Sequence, residues 1–368
     1  MCFLLFLLLY IQLMYICYGS FIELTDMSDN LANIWSNRIP TYSHQTKCTD
    51  GGTTASEGVC KTRTQCLLSG GVPRGRCGLL STCCTYDRVR SSNSKVSYFS
   101  STDVQFTESP ISFNVIRMNS NVCQLRLDFV EFDLAPVNRT QIGSNTGQTI
   151  YQCSVDNFYV IPGANIPQLC GDNTAQHLYI NMPAELRNVT LNVKYTIRSS
   201  DLPRWNIKIT QLQCPRVTDK FVTIENGVAE DFLMIAPQGC LQYYTKESGN
   251  IKSFGYSAMG GINAYASNQE YAICFKRTDY YCGISFTIRD LRLNSDLSTT
   301  CRDFLMVPGL QIGTEVRDNN KLCRNTQTSN FNTMTTKAPG PLHMNFYAGN
   351  NNDVGGFNID YNLDPCSY

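Results

Sequence analysis

The cysteines constrain this chain more than any other feature. Eight of its 18 cysteines fall into two similar quartets. Cys123, Cys153, Cys170 and Cys214 are spaced 30, 17 and 44 residues apart, and Cys282, Cys301, Cys323 and Cys366 are spaced 19, 22 and 43. The local sequence repeats with them. Cys123-Gln-Leu-Arg-Leu-Asp-Phe129 and Cys282-Gly-Ile-Ser-Phe-Thr-Ile288 each set a cysteine and then apolar residues at every second place, the period of a half-buried strand. Two copies of one oxidised domain are expected, with Cys123 and Cys282 on the inner faces of their strands, pointing into the core. A sulfur so placed suits a bridge better than a reactive thiol, which needs exposure and an electropositive setting.

Residues Phe3 to Ile16 are almost entirely apolar yet too few to span a bilayer comfortably, and Cys17-Tyr18-Gly19 puts small residues where a signal peptidase would cut. Residues 1–19 therefore read as a signal peptide, although a basic n-region is missing. Its removal takes away Cys2 and Cys17 and leaves an even number of cysteines for an oxidising compartment. No later apolar run is long enough for a membrane span, so the mature chain is expected to be secreted and extracellular. Formal net charge is zero, which argues against nucleic acid or anionic membrane as partner, since either needs a concentrated basic surface. Asn138-Arg-Thr140 and Asn188-Val-Thr190 are N-glycosylation acceptors and should lie on the surface.

Residues 20–47 are polar and without periodicity, an irregular lead-in. Residues 48–84 carry Cys48, Cys60, Cys66, Cys77, Cys83 and Cys84, and a segment this short must substitute disulfides for a core. Six cysteines allow fifteen connectivities, and geometry alone excludes only a Cys83–Cys84 bridge. Metal binding competes, but paired C-x-x-C zinc spacings are absent. Residues 85–97, with Arg, Ser, Asn and Lys and almost nothing to bury, read as a linker. From Tyr98 short runs rich in β-branched and aromatic residues alternate with turn formers, which favours β-sandwiches with alternate residues facing between sheets. The expected fold is all-β: two antiparallel jelly-roll sandwiches at 98–215 and 239–368, joined by an inter-domain segment at 216–238 and preceded by the small disulfide-rich module.

Gly239-Cys240, Gly249-Asn-Ile-Lys-Ser-Phe-Gly-Tyr256, Tyr271-Ala-Ile-Cys274, Cys301-Arg-Asp-Phe304, Leu322-Cys323 and Gly356-Phe357-Asn-Ile-Asp-Tyr361 together resemble a CUB domain. The first copy resembles it through Leu125-Arg-Leu-Asp-Phe129, Phe132-Asp-Leu134, Cys153-Ser-Val-Asp156 and Leu169-Cys170-Gly171. Cys170-Gly-Asp-Asn-Thr-Ala-Gln-His177 and Trp205-Asn-Ile-Lys-Ile-Thr-Gln-Leu-Gln-Cys214 are similar to divergent CUB domains of secreted arthropod proteins. The resemblance implies Cys153 paired with Cys170, Cys301 with Cys323 and Cys240 with Cys274, and an additional bridge per domain, Cys123–Cys214 and Cys282–Cys366. The first copy lacks a counterpart of the Cys240–Cys274 pair.

Many CUB domains hold calcium through a Glu, an Asp after the third cysteine and a later loop Asp, because a hard cation wants several oxygens. Ala135 and Asn294 stand where that Glu belongs, while Asp156 and Asp303 remain and Asp201 and Asp353 are loose candidates for the later loop. A site without its first carboxylate is not expected to bind calcium; Asp156 and Asp303 are expected instead to accept backbone hydrogen bonds in turns. The module at 48–84 resembles a clip-like domain, which implies Cys48–Cys83, Cys60–Cys77 and Cys66–Cys84.

Catalytic residues are scarce. His44, His177 and His343 are the only histidines, and His177 and His343 lie in apolar strand stretches that suit satisfied rather than catalytic imidazoles. No H-E-x-x-H, G-x-S-x-G or P-loop motif occurs, and no cofactor is implied. The expected function is non-catalytic recognition of extracellular proteins or glycans by sandwich loops. The alternatives are a matrix component whose Cys-rich module contacts polysaccharide, and a regulator of an extracellular protease cascade.

Overall fold

The structure is a computed structural model describing residues 47–366 except for short segments, the longest being 50–56, 143–147, 197–201, 223–227, 257–264, 294–300 and 324–332. The expected signal peptide, most of the lead-in, His44, Asp201, Asn294 and Asp353 lie outside the described residues.

The Cys-rich module is one four-stranded sheet of β1 (Lys47–Thr49), β2 (Glu57–Lys61), β3 (Val72–Arg76) and β4 (Thr82–Thr85), ordered β1-β2-β4-β3, with helix α1 (Arg63–Leu68) across it. Thr62 and Gln65 start the helix with a reciprocal capping box: Thr62 Oγ1 accepts from Gln65 N–H and Gln65 Oε1 accepts from Thr62 N–H, each at 3.3 Å. The buried cluster here is Cys66 with Cys84, so sulfur takes the place of an aliphatic core.

The first sandwich is built from β5 (Ser91–Ser92), β6 (Val96–Ser100), β7 (Ile111–Ile116), β8 (Val122–Asp133), the hairpin β9 (Asn138–Ile142) and β10 (Gln148–Gln152), β11 (Asn157–Ile161), β12 (His177–Asn181), β13 (Asn188–Lys194) and β14 (Arg204–Gln213). Its two facing sheets run β11-β13-β7-β5 and β12-β8-β14-β6. Beyond the small hairpin β15 (Val217–Thr218) and β16 (Phe221–Val222), helix α2 (Val228–Met234) leads into the second sandwich. That comprises β17 (Cys240–Tyr244), β18 (Ser248–Lys252), β19 (Gln269–Phe275), β20 (Tyr281–Arg292), β21 (Phe304–Met306), β22 (Leu310–Ile312), β23 (Glu315–Val316), β24 (Lys321–Leu322), β25 (Thr333–Thr336), β26 (Leu342–Ala348) and β27 (Gly356–Pro365). Its sheets run β17-β19-β26-β21-β24 and β18-β27-β20-β25-β22-β23.

The two sandwiches repeat down to their irregularities. In each, a 12-residue strand (β8, β20) pairs antiparallel with a 10-residue strand (β14, β27). Val122 faces Gln213 and Gln124 faces Leu212, which leaves Cys123 as the extra residue of a bulge; Tyr281 faces Pro365 and Gly283 faces Asp364, which leaves Cys282 in the same place. A second bulge follows at Val130 and at Arg289. A bulge adds one residue and so switches which face later side chains occupy. The buried set accordingly runs Leu125, Leu127, Phe129 and then Phe132, Leu134, and in the second copy Ile284, Phe286, Ile288 and then Leu291, Leu293.

Two expectations are corrected. Cys123 is only half-buried and Cys282 is exposed, so neither points into the core; the bulge turns each off the inner face. The supposed linker at 85–97 carries the start of the first sandwich. Ser91–Ser92 pairs parallel with β7, as Cys240–Tyr244 pairs parallel with β19, and β6 begins at Val96. The segment buries Ser92, Ser94 and Ser97: Ser92 Oγ accepts from Ser94 N–H at 3.1 Å and Ser94 Oγ from Lys61 Nζ at 3.0 Å, whereas Ser97 Oγ has no hydrogen-bond partner among the described residues.

Candidate functional site: the cleft between the sandwiches

Eight disulfides frame the described residues: Cys48–Cys83, Cys60–Cys77 and Cys66–Cys84 in the module, Cys123–Cys214 and Cys153–Cys170 in the first sandwich, and Cys240–Cys274, Cys282–Cys366 and Cys301–Cys323 in the second. Cys48, Cys60 and Cys77 have sulfurs close enough to suggest a metal site, but all three are already bonded in disulfides and have no thiolate to offer. Asn138 and Asn188 both lie exposed, the first in β9 and the second at the head of β13.

The acidic pair of the calcium question is engaged elsewhere. Asp156 is fully buried, with Oδ2 accepting from Ala135 N–H at 2.8 Å and Oδ1 from Thr196 N–H at 3.2 Å. Asp303 is equally buried and accepts from the Tyr265 hydroxyl at 2.5 Å and from Gly349 N–H at 2.7 Å. Each carboxylate pins a neighbouring strand or loop to its own turn.

The junction between the sandwiches gathers residues that sequence reasoning did not combine. Edge strands β12 and β17 face each other. His177 Nε2 accepts from Tyr243 N–H at 3.0 Å, and Gln242 Nε2 donates to the carbonyl of His177 and to Gln176 Oε1, each at 3.2 Å. Burial, and then the charge of Arg126, hold the His177 imidazole well below its ordinary range, at about 4, so it is neutral at physiological pH. Next to it the Tyr179 phenol, pushed up to about 12 chiefly by burial, donates to Met234 O at 2.9 Å. Asn173 Oδ1 accepts from Gly255 N–H at 2.7 Å. Tyr151 and Ser267 exchange two bonds: Tyr151 N–H donates to Ser267 Oγ at 2.9 Å and Ser267 N–H to Tyr151 O at 2.8 Å. The connecting segment joins the same clasp, because Gln124 and Ala236 exchange hydrogen bonds of 2.9 Å and buried Asp231 pairs with Lys95. His343, by contrast, sits partly exposed on β26, with Nδ1 near Pro341 O.

Alongside this clasp runs a groove of about 840 Å³, walled by the turn after β11 (Pro162, Asn165, Pro167) and by Asn181 and Leu186 of the first sandwich. Its floor is the outer face of the second sandwich's five-stranded sheet, with Glu270, Ala272 and Asn345 on it. It adjoins a second hollow of about 330 Å³ that shares Pro167 and Asn268 and adds Gln168 and Gln269. On the same sheet face, Phe304 and Tyr347 stack with centroids 5.2 Å apart, and Lys321 Nζ sits 4.0 Å over the Phe304 ring.

The family model of the animal CUB domain matches residues 237–364. Among solved structures the chain is similar to the CUB1-EGF-CUB2 segment of human MASP-1/3, at 12% identity over 73% of this chain and 100% of that one, with a TM-score of 0.25. The same segment of rat MASP-1 gives 12% identity over 74% of this chain and 99% of that one, TM-score 0.23. The extracellular region of zebrafish Gpr126/Adgrg6 gives 9% identity over 75% of this chain and 37% of that one, TM-score 0.22. No curated protein matches the chain. With the matched span covering the second sandwich from before β17 into β27, the chain contains a CUB domain at residues 237–364.

Proposed function

We propose that the chain is a secreted, non-catalytic recognition protein that captures an extracellular partner, with the first sandwich a second, divergent CUB-like domain. The observation that carries this reading is the cleft, an open concave surface held in fixed shape by hydrogen bonds from both sandwiches. Fixed concave surfaces with a few placed polar groups are the usual form of a binding site. The repeated bulges, the parallel opening strands β5 and β17 and the matching long bridges support a common ancestry for the two sandwiches. Glycosylation at exposed Asn138 and Asn188 would fit passage through a secretory pathway. The CUB match, the disulfides and the absence among the described residues of any helix able to cross a membrane are in keeping with an extracellular life.

The test is secretion of the full chain from an oxidising host, followed by its use as bait in extracellular fluid. The expected result is export, loss of mass on glycosidase treatment, and capture that vanishes when the bait is reduced and alkylated. Turnover of peptide, ester or glycoside substrates by the purified chain would refute a non-catalytic role.

A further inference from the structure

We propose that the cleft between the sandwiches binds a neutral oligosaccharide; this rests on the recognition role above and gives that site a ligand chemistry. Amides are the commonest polar side chains around it. Asn165, Asn181, Asn268 and Asn345 line the groove, and Gln168 and Gln269 line the adjoining hollow. An amide offers donors and an acceptor at one place, which matches a sugar hydroxyl that also does both. Gln269, which lines the hollow, is 4% exposed, and its buried Oε1 has no hydrogen-bond partner among the described residues.

Charge narrows the ligand further. Glu270 is the only carboxylate among the described residues lining either space, which include no Lys, Arg or His. A sulfated or sialylated glycan, a phosphate or an acidic peptide would lose water beside Glu270 and find no counter-charge. An extended peptide would want a free strand edge, yet the nearby edges of β12 and β17 are turned toward each other. The apolar part of the lining, which includes Pro162, Ile166, Pro167, Leu186 and Ala272, offers contact to the C–H faces of pyranose rings. Tyr347, 40% exposed and stacked on Phe304, extends that platform along the same sheet face. The groove's size lies in the range of sites for small ligands, so it takes a short glycan or one end of a longer chain.

The full chain should be applied to an array of neutral, sialylated and sulfated oligosaccharides, and the best neutral glycan then titrated in solution. Neutral glycans are expected to be retained in preference to anionic ones. Ala272→Arg, which fills the floor and adds a cation, should weaken that affinity at least tenfold. Asn345→Ala, a milder change on the same face, should weaken it severalfold with the melting temperature unchanged, so the test survives if Ala272→Arg does not fold. A preference for sulfated glycans, no retention of neutral ones, or affinity unaltered in a folded Asn345→Ala chain would overturn the proposal. If extracellular proteins are still captured while no glycan binds, the glycan inference alone fails; if nothing is captured, the recognition role fails with it.

Discussion

His177 can accept the Tyr243 N–H only while its imidazole is neutral. Its pKa in the folded chain, about 4, lies below the ordinary 6.5 that the unfolded chain would show. A depressed pKa means that the unfolded state binds the proton more readily. The stabilisation is therefore complete above about pH 6.5 and is lost as pH falls toward 4, a contribution on the order of 3 kcal/mol. Hydrogen exchange should show protection of the Tyr243 amide falling across that window; protection constant between pH 7 and 4 would refute this. The sequence marks His177 only as the opening of an apolar strand. Its role was not legible because the partner is a backbone amide 66 residues away, and backbone donors leave no trace in residue identity. Asp156 and Asp303 were partly legible: with Ala135 and Asn294 in place of the first calcium carboxylate they read as acceptors of backbone N–H groups within a turn, and both do accept backbone N–H groups, but from residues 21, 40 and 46 positions away.

At the scale of elements, the long strands were visible from alternation alone, while their bulges were not. The switch from Leu125, Leu127, Phe129 to Phe132, Leu134 is written in the sequence, but a shift of parity can equally mark the end of one strand and the start of another. Only the pairing with β14 shows one continuous strand. The opening strand at Ser91–Ser92 was hidden for a different reason: serine has little strand preference, and the strand exists because β7 offers it a ladder. The bulges carry Cys123 and Cys282 out toward Cys214 and Cys366, just past the last strands. The two bridges close loops of similar length, 91 and 84 residues, and the entropic gain depends only on the logarithm of that length. Replacing Cys123 and Cys214 together by Ser, or Cys282 and Cys366 together, should therefore cost a similar amount, about 2 to 4 kcal/mol each. Urea titration of the two double variants checks it, and a neutral result for one pair would break the equivalence of the copies.

Across the whole molecule the two sandwiches meet at a pair of glycines. A Cβ on Gly171, whose φ is +74°, would lie 3.3 Å from Gly255 Cα, so a larger residue there is strained in backbone and crowds the opposite sandwich. The wild-type chain should unfold its two sandwiches in one calorimetric transition, and Gly171→Val should split it into two, the first at lower temperature. Two transitions already in the wild type would show the clasp to be too weak to couple them. The junction as a whole was the least legible part of the chain, since it is made of Gly, Gln, Asn and Ser from loops and edges, residues that in sequence read as ordinary turn material. The disulfides bear also on how the chain would respond to being pulled. Tension applied at its two ends passes from Cys123 to Cys214 and from Cys282 to Cys366 through sulfur, so each enclosed stretch, about 300 Å if drawn out at roughly 3.4 Å per residue, is shielded from the load. A protein held between a surface and a moving partner would then lengthen only through the stretches outside these bridges until a reductant reaches it.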